Sequence, residues 1–153
     1  MPKQRHTEGA IVSIPLKDGV FGFALLLEDP NIKVYNYFSK YESEIEAIIK
    51  NNFLFEAAIY NSIILDAEWQ KIGKKQLTSE EKILKKKFIQ DILNPNEFRI
   101  YDPTSGTISD SKKEECIGMD CEIVFDRETI EKILWEFYTT GISITWKEQN
   151  KMI

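Results

Sequence analysis

The sequence has few of the side chains that catalysis at neutral pH usually requires. Its 153 residues include one histidine, His6, and two cysteines, Cys116 and Cys121. His6 lies in a polar N-terminal segment, and because chain ends are commonly poorly ordered we expect it to be a mobile surface residue rather than a general base. The cysteine spacing does not match a CxxC redox or zinc pair, so both are expected to be reduced thiols without a role. We therefore predict no catalytic residues, no metal site and no enzymatic activity.

Glycine-rich phosphate-binding loops and long apolar runs are also missing. The seven glycines are scattered singly, and neither GxGxxG nor GxxxxGK[ST] occurs. No stretch approaches the roughly 18 uninterrupted apolar residues of a membrane helix, and the first residues lack the apolar core of a signal peptide. The sequence thus predicts a cytoplasmic protein with no bound cofactor and no membrane partner.

The composition is that of a folded globular chain. Hydrophobic residues make up 42% and charged residues 29%, and nine Phe, six Tyr and three Trp argue against disorder. A chain of this length can bury a core without disulfides or metals. Since no repeat or linker interrupts it, we predict one domain over residues 1–153.

Apolar patterning predicts an α+β fold. Two runs rich in β-forming residues, 9–16 and 20–27, are separated by Lys17-Asp18-Gly19, and Asp-Gly between such runs is a strong hairpin signal. The second run is apolar on both faces, which is typical of a central strand covered on both sides. We predict an antiparallel, strongly curved sheet or small barrel that begins with this hairpin.

Helices are predicted in two places in the second half of the chain. Thr78 and Glu81 form a capping-box pattern, which predicts a short helix over residues 79–86. Asp126 is a good N-cap, and Gly141 suits a helix C-terminus. An apolar stripe between these two residues predicts an amphipathic C-terminal helix packed on the sheet: Ile130, Ile133, Leu134, Phe137 and Tyr138. The alternation over residues 142–146 predicts a final strand.

Charge is distributed unevenly along the chain. Residues 68–100 carry a net charge of +3 and residues 101–153 a net charge of −5. Seven lysines in the basic stretch 71–87, near Trp69 and Phe88, would suit a small nucleic-acid-binding module. A sequence pI of about 5.1 disfavours that alternative, and lysines on a solvated face explain the pattern as well.

The opening strands resemble the immunity protein 26 family of bacterial polymorphic-toxin systems. That family shares a Gly-x-Ile-Val-x-Ile-Pro-Leu strand, a turn ending in Gly and an aromatic second strand. The matching positions here are Gly9, Ile11, Val12, Ile14, Pro15, Leu16 and Gly19. Looser similarity continues to Glu114-Glu115-Cys116. Two positions depart from the pattern, with Ala10 in place of an acidic residue and Leu25 where many relatives carry Arg.

The resemblance implies an antitoxin role without catalysis. A member of this family would bind a cognate toxin protein and so protect the cell that produces it. If the toxin is a nuclease with a basic cleft, the acidic final third could imitate the phosphates of the nucleic acid that the cleft binds. Toxins of other kinds are equally compatible. The resemblance does not identify the toxin, and the sequence does not indicate an oligomeric state.

Partner-binding residues are predicted mainly in the acidic final third. Trp is enriched among interface hot spots but is as often found in a core. We predict a binding face made of one aromatic anchor and five carboxylates: Trp69, Asp110, Glu114, Glu115, Asp120 and Glu122.

Overall fold

A computed structural model describes residues 3–153 as a mixed α and β structure with ten strands and five helices. The strands are β1 (Ala10–Pro15), β2 (Phe21–Leu26), β3 (Asn31–Tyr35), β4 (Phe53–Ile59), β5 (Gln70–Lys74), β6 (Lys87–Gln90), β7 (Phe98–Asp102), β8 (Thr107–Ser111), β9 (Asp120–Cys121) and β10 (Val124–Phe125). The helices are α1 (Ile45–Ile49), α2 (Ser62–Leu65), α3 (Lys113–Cys116), α4 (Arg127–Thr140) and α5 (Ile144–Gln149).

The strands form two open sheets instead of the single sheet or barrel predicted from the sequence. The first has the order β10-β4-β3-β2-β1-β5 and the second the order β8-β7-β6-β9. Most neighbours are antiparallel, but β10 pairs with β4 and β9 with β6 in parallel. Each parallel pair involves a two-residue strand from the segment that leads into α4. This late segment thus adds one strand to each sheet, which local patterning could not show.

The two strands that flank Lys17-Asp18-Gly19 pair with each other. β1 and β2 are antiparallel, with Ile11 opposite Leu25. At the start of β1, Gly9 has a positive φ of 86°, and a β-carbon at this position would collide with the carbonyl oxygen of Lys75. Gly9 is therefore required where the chain enters the sheet beside β5.

Both faces of the first sheet are covered, as the apolar second run predicted. On one face Ala24 and Leu26 of β2 pack in a core with Ile133 and Leu134 of α4. On the other face Phe23 and Leu25 pack with Ile48 of α1 and Leu84 of the connection to β6. The second sheet has a small core of its own, built from Phe88, Phe98 and Cys116.

Helix α4 begins and ends where the sequence predicts. The carboxylate of Asp126 accepts a hydrogen bond of 2.8 Å from the backbone N–H of Thr129. Gly141 has a φ of 82° and donates its N–H to the carbonyl of Phe137. The helix packs so closely on β2 that a β-carbon at Gly22 would lie 3.0 Å from Leu134. The prediction of an amphipathic helix on the sheet is confirmed.

The helix predicted over residues 79–86 is wrong, although its capping hydrogen bonds form. Thr78 and Glu81 exchange the two bonds of a capping box, at 2.9 and 3.1 Å. The N–H groups of Lys82 and Ile83 bond to the carbonyls of Thr78 and Glu80 and complete a turn, but those that follow bond elsewhere. The N–H of Leu84 donates to the hydroxyl of Thr104, and that of Lys85 donates to the carboxylate of Glu56. Tertiary acceptors thus replace the carbonyls that would extend a helix.

The strand predicted at residues 142–146 is also wrong, since this segment begins α5. The hydroxyl of Ser143 caps the helix by accepting from the N–H of Trp146 at 3.0 Å. The carboxylate of Glu136 on α4 accepts from the Ser143 hydroxyl at 2.7 Å and from the N–H of Thr145 at 2.9 Å. The Trp146 ring stacks on Phe55, with 4.4 Å between ring centroids. Helix α5 is held by contacts that its own sequence does not reveal.

Removing the cap of α5 is expected to destabilise the protein moderately. Ser143 is 2% exposed, so Ser143→Ala removes a cap and leaves the Glu136 carboxylate without one donor. We expect a loss of about 1–2 kcal/mol in the free energy of unfolding. Urea unfolding followed by tryptophan fluorescence measures it, with the exposed turn residue Ser79→Ala as control. Equal midpoints for the two variants would contradict the capping role.

Candidate partner-binding surface

The predicted acidic residues fall into two groups with different surroundings. Asp110 on β8 and Glu114 and Glu115 on α3 are exposed. The Glu115 carboxylate also accepts from the backbone N–H of Lys112 at 3.2 Å. Asp110 lies directly opposite Arg99 on β7, yet within residues 3–153 no ion pair of 4 Å or less involves either side chain. This group is available to a partner.

Asp120 and Glu122 belong instead to a half-buried charge cluster beside β6. Asp120 pairs with Lys87 across the parallel ladder, and the N–H of Glu122 donates to the carbonyl of Phe88. Burial raises the pKa of both carboxyls, and the Lys87 ammonium partly offsets this. One carboxylate oxygen of Glu122 is buried without a hydrogen-bond partner. The cluster links the second sheet to the chain leading into α4, so we assign these two residues a structural role first.

Trp69 cannot act as a surface anchor in this fold. Its side chain is 0% exposed, and its indole N–H donates to the carboxylate of Glu131 on α4 at 3.1 Å. The prediction of an aromatic anchor at Trp69 is therefore wrong. The position of Trp69 just before β5, and the approach of α4 over the sheet, place the ring in the core, and neither feature is local in sequence.

The aromatic rings beside the basic stretch 71–87 are not placed for stacking on nucleic-acid bases. Phe88 is 1% exposed, as deeply buried as Trp69, so neither ring is free to stack on a base. Lys75 is paired with Glu81 at 2.6 Å, and Lys87 is 4% exposed. The lysines that remain exposed are Lys74, Lys82, Lys85 and Lys86.

His6 is more enclosed than predicted, and neither cysteine is fully exposed. The His6 side chain is 3% exposed and its Nε2 lies 2.8 Å from the carbonyl oxygen of Leu27, so the expectation of a mobile surface residue is wrong. Cys116 is buried and Cys121 half-buried, both as free thiols. Burial, reinforced by the neighbouring Glu122 carboxylate, raises the pKa of Cys121. This thiol is thereby kept protonated, which suppresses nucleophilic reactivity.

An open cleft lies at one end of the second sheet. It has a volume of about 660 Å³ and is lined mainly by polar side chains, and its charged residues are Asp91, Glu97, Arg99 and Asp110. Three carboxylates and one guanidinium thus line this cleft. Of these residues only Asp110 is among those predicted from the sequence. Asp91 and Glu97 were missed because they flank the turn at Asn94-Pro95-Asn96, and only the folded loop brings them beside β8.

The loop that connects β6 and β7 carries two exposed apolar side chains directly after Asp91, which lines this cleft. Ile92 is 82% exposed and Leu93 is 95% exposed. Strand β6 ends at Gln90, before both residues. A pair of large apolar residues directly before an Asn-Pro-Asn turn is the sequence signal for this feature.

Two further properties concern the part of the chain that the structure describes. Within residues 3–153, no three His, Cys, Asp or Glu side chains are grouped so that they could hold a metal ion. No helix in the same range combines the length and the apolar composition needed to cross a bilayer.

Comparison with known families agrees with the motif in β1 and β2. Residues 7–99, more than half of the chain, match the family model described as Immunity protein 26. The match contains every motif residue from Gly9 to Gly19, together with Ile92 and Leu93. The similarity noted at Glu114-Glu115-Cys116 lies beyond it. Both positions that depart from the family pattern are buried, Ala10 at 4% and Leu25 at 0% exposure, so neither alters the surface. No curated protein and no solved structure matches the chain. The protein belongs to the immunity protein 26 family.

Proposed function

We propose that this chain neutralises a cognate bacterial toxin by binding it directly, and that it acts without catalysis of its own. The observation that carries the proposal is the family match over residues 7–99. The two free thiols of Cys116 and Cys121 suit the reducing cytoplasm, where we propose that the protein protects the producing cell. Residues 1–153 would act as one domain, since Leu84 from the connection to the second sheet packs in the core of the first.

The exposed carboxylates favour a basic partner surface. Asp110, Glu114 and Glu115 lie within one short stretch of β8 and α3 and face solvent. Charges at the rim of an interface act mainly on the rate of encounter, since they steer an oppositely charged partner into place. Of the six residues predicted to bind the partner, we retain these three. Trp69 is excluded because it is buried.

The proposal is tested with the protein encoded by the reading frame adjacent to this gene, which is expected to contain a toxin domain. Cells that express that domain are expected to grow only when this chain is co-expressed, and the two purified proteins are expected to form a complex. A toxin that kills equally well in the presence of the folded chain, with no complex by calorimetry, would contradict the proposal.

Reversing the exposed acidic charges is expected to slow association. We predict that Asp110→Lys with Glu114→Lys lowers the association rate constant about tenfold at low salt, and less at high salt, because long-range attraction is screened. Glu115 is left intact because it caps α3. Stopped-flow mixing with the same toxin domain measures the rate, with Lys82→Glu and Lys86→Glu as a charge-matched control.

The control also decides between the proposal and nucleic-acid binding. Both control lysines are exposed and lie in the basic stretch. If the lysine variant is the one that loses function, and the loss follows weaker binding of a labelled oligonucleotide, the nucleic-acid alternative is correct.

A further inference from the structure

We infer that the loop between β6 and β7 is the main contact through which this protein binds its toxin. The toxin surface that it contacts would be an apolar pocket bordered by basic side chains. The inference rests on the proposed function and specifies its binding face. It starts from Ile92 and Leu93, which stand 82% and 95% exposed at consecutive positions. We refer to residues 91–97 as the tip loop.

The tip loop is held in one conformation by its own polar groups. The carboxylate of Asp91 accepts from the N–H of Leu93 at 2.9 Å and from that of Asn94 at 2.8 Å. The N–H of Asp91 donates to the carbonyl of Glu97, and the N–H of Glu97 donates to the carbonyl of Asn94. The Asn94 amide also donates to the Glu97 carboxylate at 3.1 Å. Ile92 and Leu93 are therefore displayed on a closed, hydrogen-bonded loop.

The base of the tip loop is fastened to the rest of the protein. The Gln90 amide donates to the carbonyl of Pro95 at 2.9 Å, and its oxygen accepts from the N–H of Ile153 at 2.7 Å. Ile153 is itself 78% exposed. A loop fixed in this way loses little conformational entropy when a partner binds, and preorganisation of this kind increases affinity. Exposed apolar side chains on such a loop contribute to binding when a partner covers them, because removing their surface from water lowers the free energy of the complex.

The surroundings of the tip loop define the chemistry of the partner. Asp91 and Glu97, at its two ends, line the 660 Å³ cleft together with Asp110 and Arg99. Three acidic groups against one basic group favour a partner surface with excess Lys or Arg. Arg99 and Asp110 face each other without an ion pair of 4 Å or less in the described residues, so each can bond to a partner group. An apolar centre surrounded by a polar rim is the usual anatomy of a protein interface.

The test measures binding of the same neighbouring gene product, the expected toxin domain, to the full chain and to two variants. For Ile92→Ser with Leu93→Ser we expect about a hundredfold weaker binding, dominated by faster dissociation, with an unchanged melting temperature because both side chains are exposed. The matched control is Tyr41→Ser. Tyr41 is 80% exposed but lies near Phe21 and Phe23, against the first sheet, and we expect its affinity to stay within threefold of the unsubstituted chain.

A second pair of variants separates rigidity from charge. Asp91→Asn keeps an oxygen that accepts from Leu93 and Asn94 but removes the charge, so we expect a slower association that loses part of its salt dependence. Asp91→Ala also removes the hydrogen bonds from the N–H groups of Leu93 and Asn94 that hold the loop. We expect a further tenfold loss of affinity, although Ile92 and Leu93 are intact. Equal affinities for the two variants would contradict preorganisation.

The outcomes distinguish this inference from the proposed function. If the unsubstituted chain binds the toxin domain and the double serine variant binds equally well, the anchor lies elsewhere and the proposed function stands. If the unsubstituted chain does not bind, the proposed function fails, and the anchor fails with it. If the double variant instead abolishes concentration-dependent self-association in analytical ultracentrifugation, the tip loop is a contact between copies of this chain and the inference is overturned.

Discussion

Trp69→Ala is expected to lower the free energy of unfolding by about 4 kcal/mol, one of the largest effects of any single substitution in this protein. Trp69 is 0% exposed and belongs to the core between the first sheet and α4, with Ile130 and Ile133 as fellow members. Truncation removes a whole indole from a close-packed site and leaves a cavity that the sheet can only partly close.

The indole also connects several elements through polar contacts. Its N–H bonds to Glu131, which in turn accepts two hydrogen bonds from Arg127, at 3.0 and 3.1 Å. The backbone carbonyl of Trp69 accepts from the Gln4 amide at 2.8 Å. Trp69→Phe retains most of the apolar volume and loses only the indole donor, so we expect it to cost about 1–2 kcal/mol.

Trp135 supplies the comparison within the same chain. This half-buried ring lies on α4 under the Lys17 ammonium, 5.8 Å from the ring centroid, and contacts of this kind at exposed sites contribute about 0.5–1 kcal/mol. Trp135→Ala is therefore expected to cost much less than Trp69→Ala in urea unfolding at neutral pH. Comparable losses for the two alanine variants would contradict the buried position of Trp69.

The sequence predicts those elements whose signals are local. Helix α4 carries its cap at Asp126, its apolar stripe and its left-handed glycine within one continuous segment, so its limits could be predicted to the residue. The central position of β2 follows from an apolar character on both faces. Family similarity was also visible in the sequence, because the motif from Gly9 to Gly19 is contiguous.

Elements that depend on distant groups could not be predicted. The capping box at Thr78 forms, but Glu56 and Thr104 capture the N–H groups that would have continued a helix. The alternation over residues 142–146 fits a strand, and only the Glu136 carboxylate from the preceding helix shows why α5 forms instead. Both errors arise because side chains from elsewhere in the fold accept hydrogen bonds from the backbone N–H groups of these segments.

The candidate binding surface likewise has features that could be predicted from the sequence and features that could not. Acidic residues of the final third could be identified as a group, but burial separates Asp120 and Glu122 from the exposed Asp110 and Glu114. The cleft brings Asp91 and Glu97 of the tip loop beside Asp110 of β8, and the exposure of Ile92 and Leu93 depends on where β6 stops. Apolar residues are normally assigned to the core from sequence, so an exposed apolar anchor is the feature that sequence patterns are least able to reveal.

Lys87→Met is expected to destabilise the protein by about 2 kcal/mol at pH 7, since removing the ammonium from this half-buried charge cluster leaves Asp120 and Glu122 less compensated. Lys87 is 4% exposed, and its ammonium opposes the burial that raises the pKa of Asp120 and Glu122. Methionine retains most of the aliphatic volume, so the loss reports chiefly on charge. The exposed neighbour Lys86→Met serves as control, with an expected change within about 0.5 kcal/mol.

The pH dependence of this loss identifies its cause. A carboxyl whose pKa is raised in the folded state contributes stability that is fully present below its unfolded pKa of about 4 and is lost as pH rises through the raised value. Without Lys87 the folded-state pKa values of Asp120 and Glu122 rise further. The stability difference between the Lys87→Met variant and the unsubstituted chain should therefore be largest at neutral pH and shrink as pH falls toward 4, where both carboxyls take up protons. Lys85, which also lowers the pKa of Asp120, and Glu56, which raises it, are present in both proteins, so the difference isolates Lys87. Urea unfolding at pH 7, 5.5 and 4 measures it, and a loss that is the same at all three values would mean that Lys87 stabilises the second sheet through its packing and not through its charge.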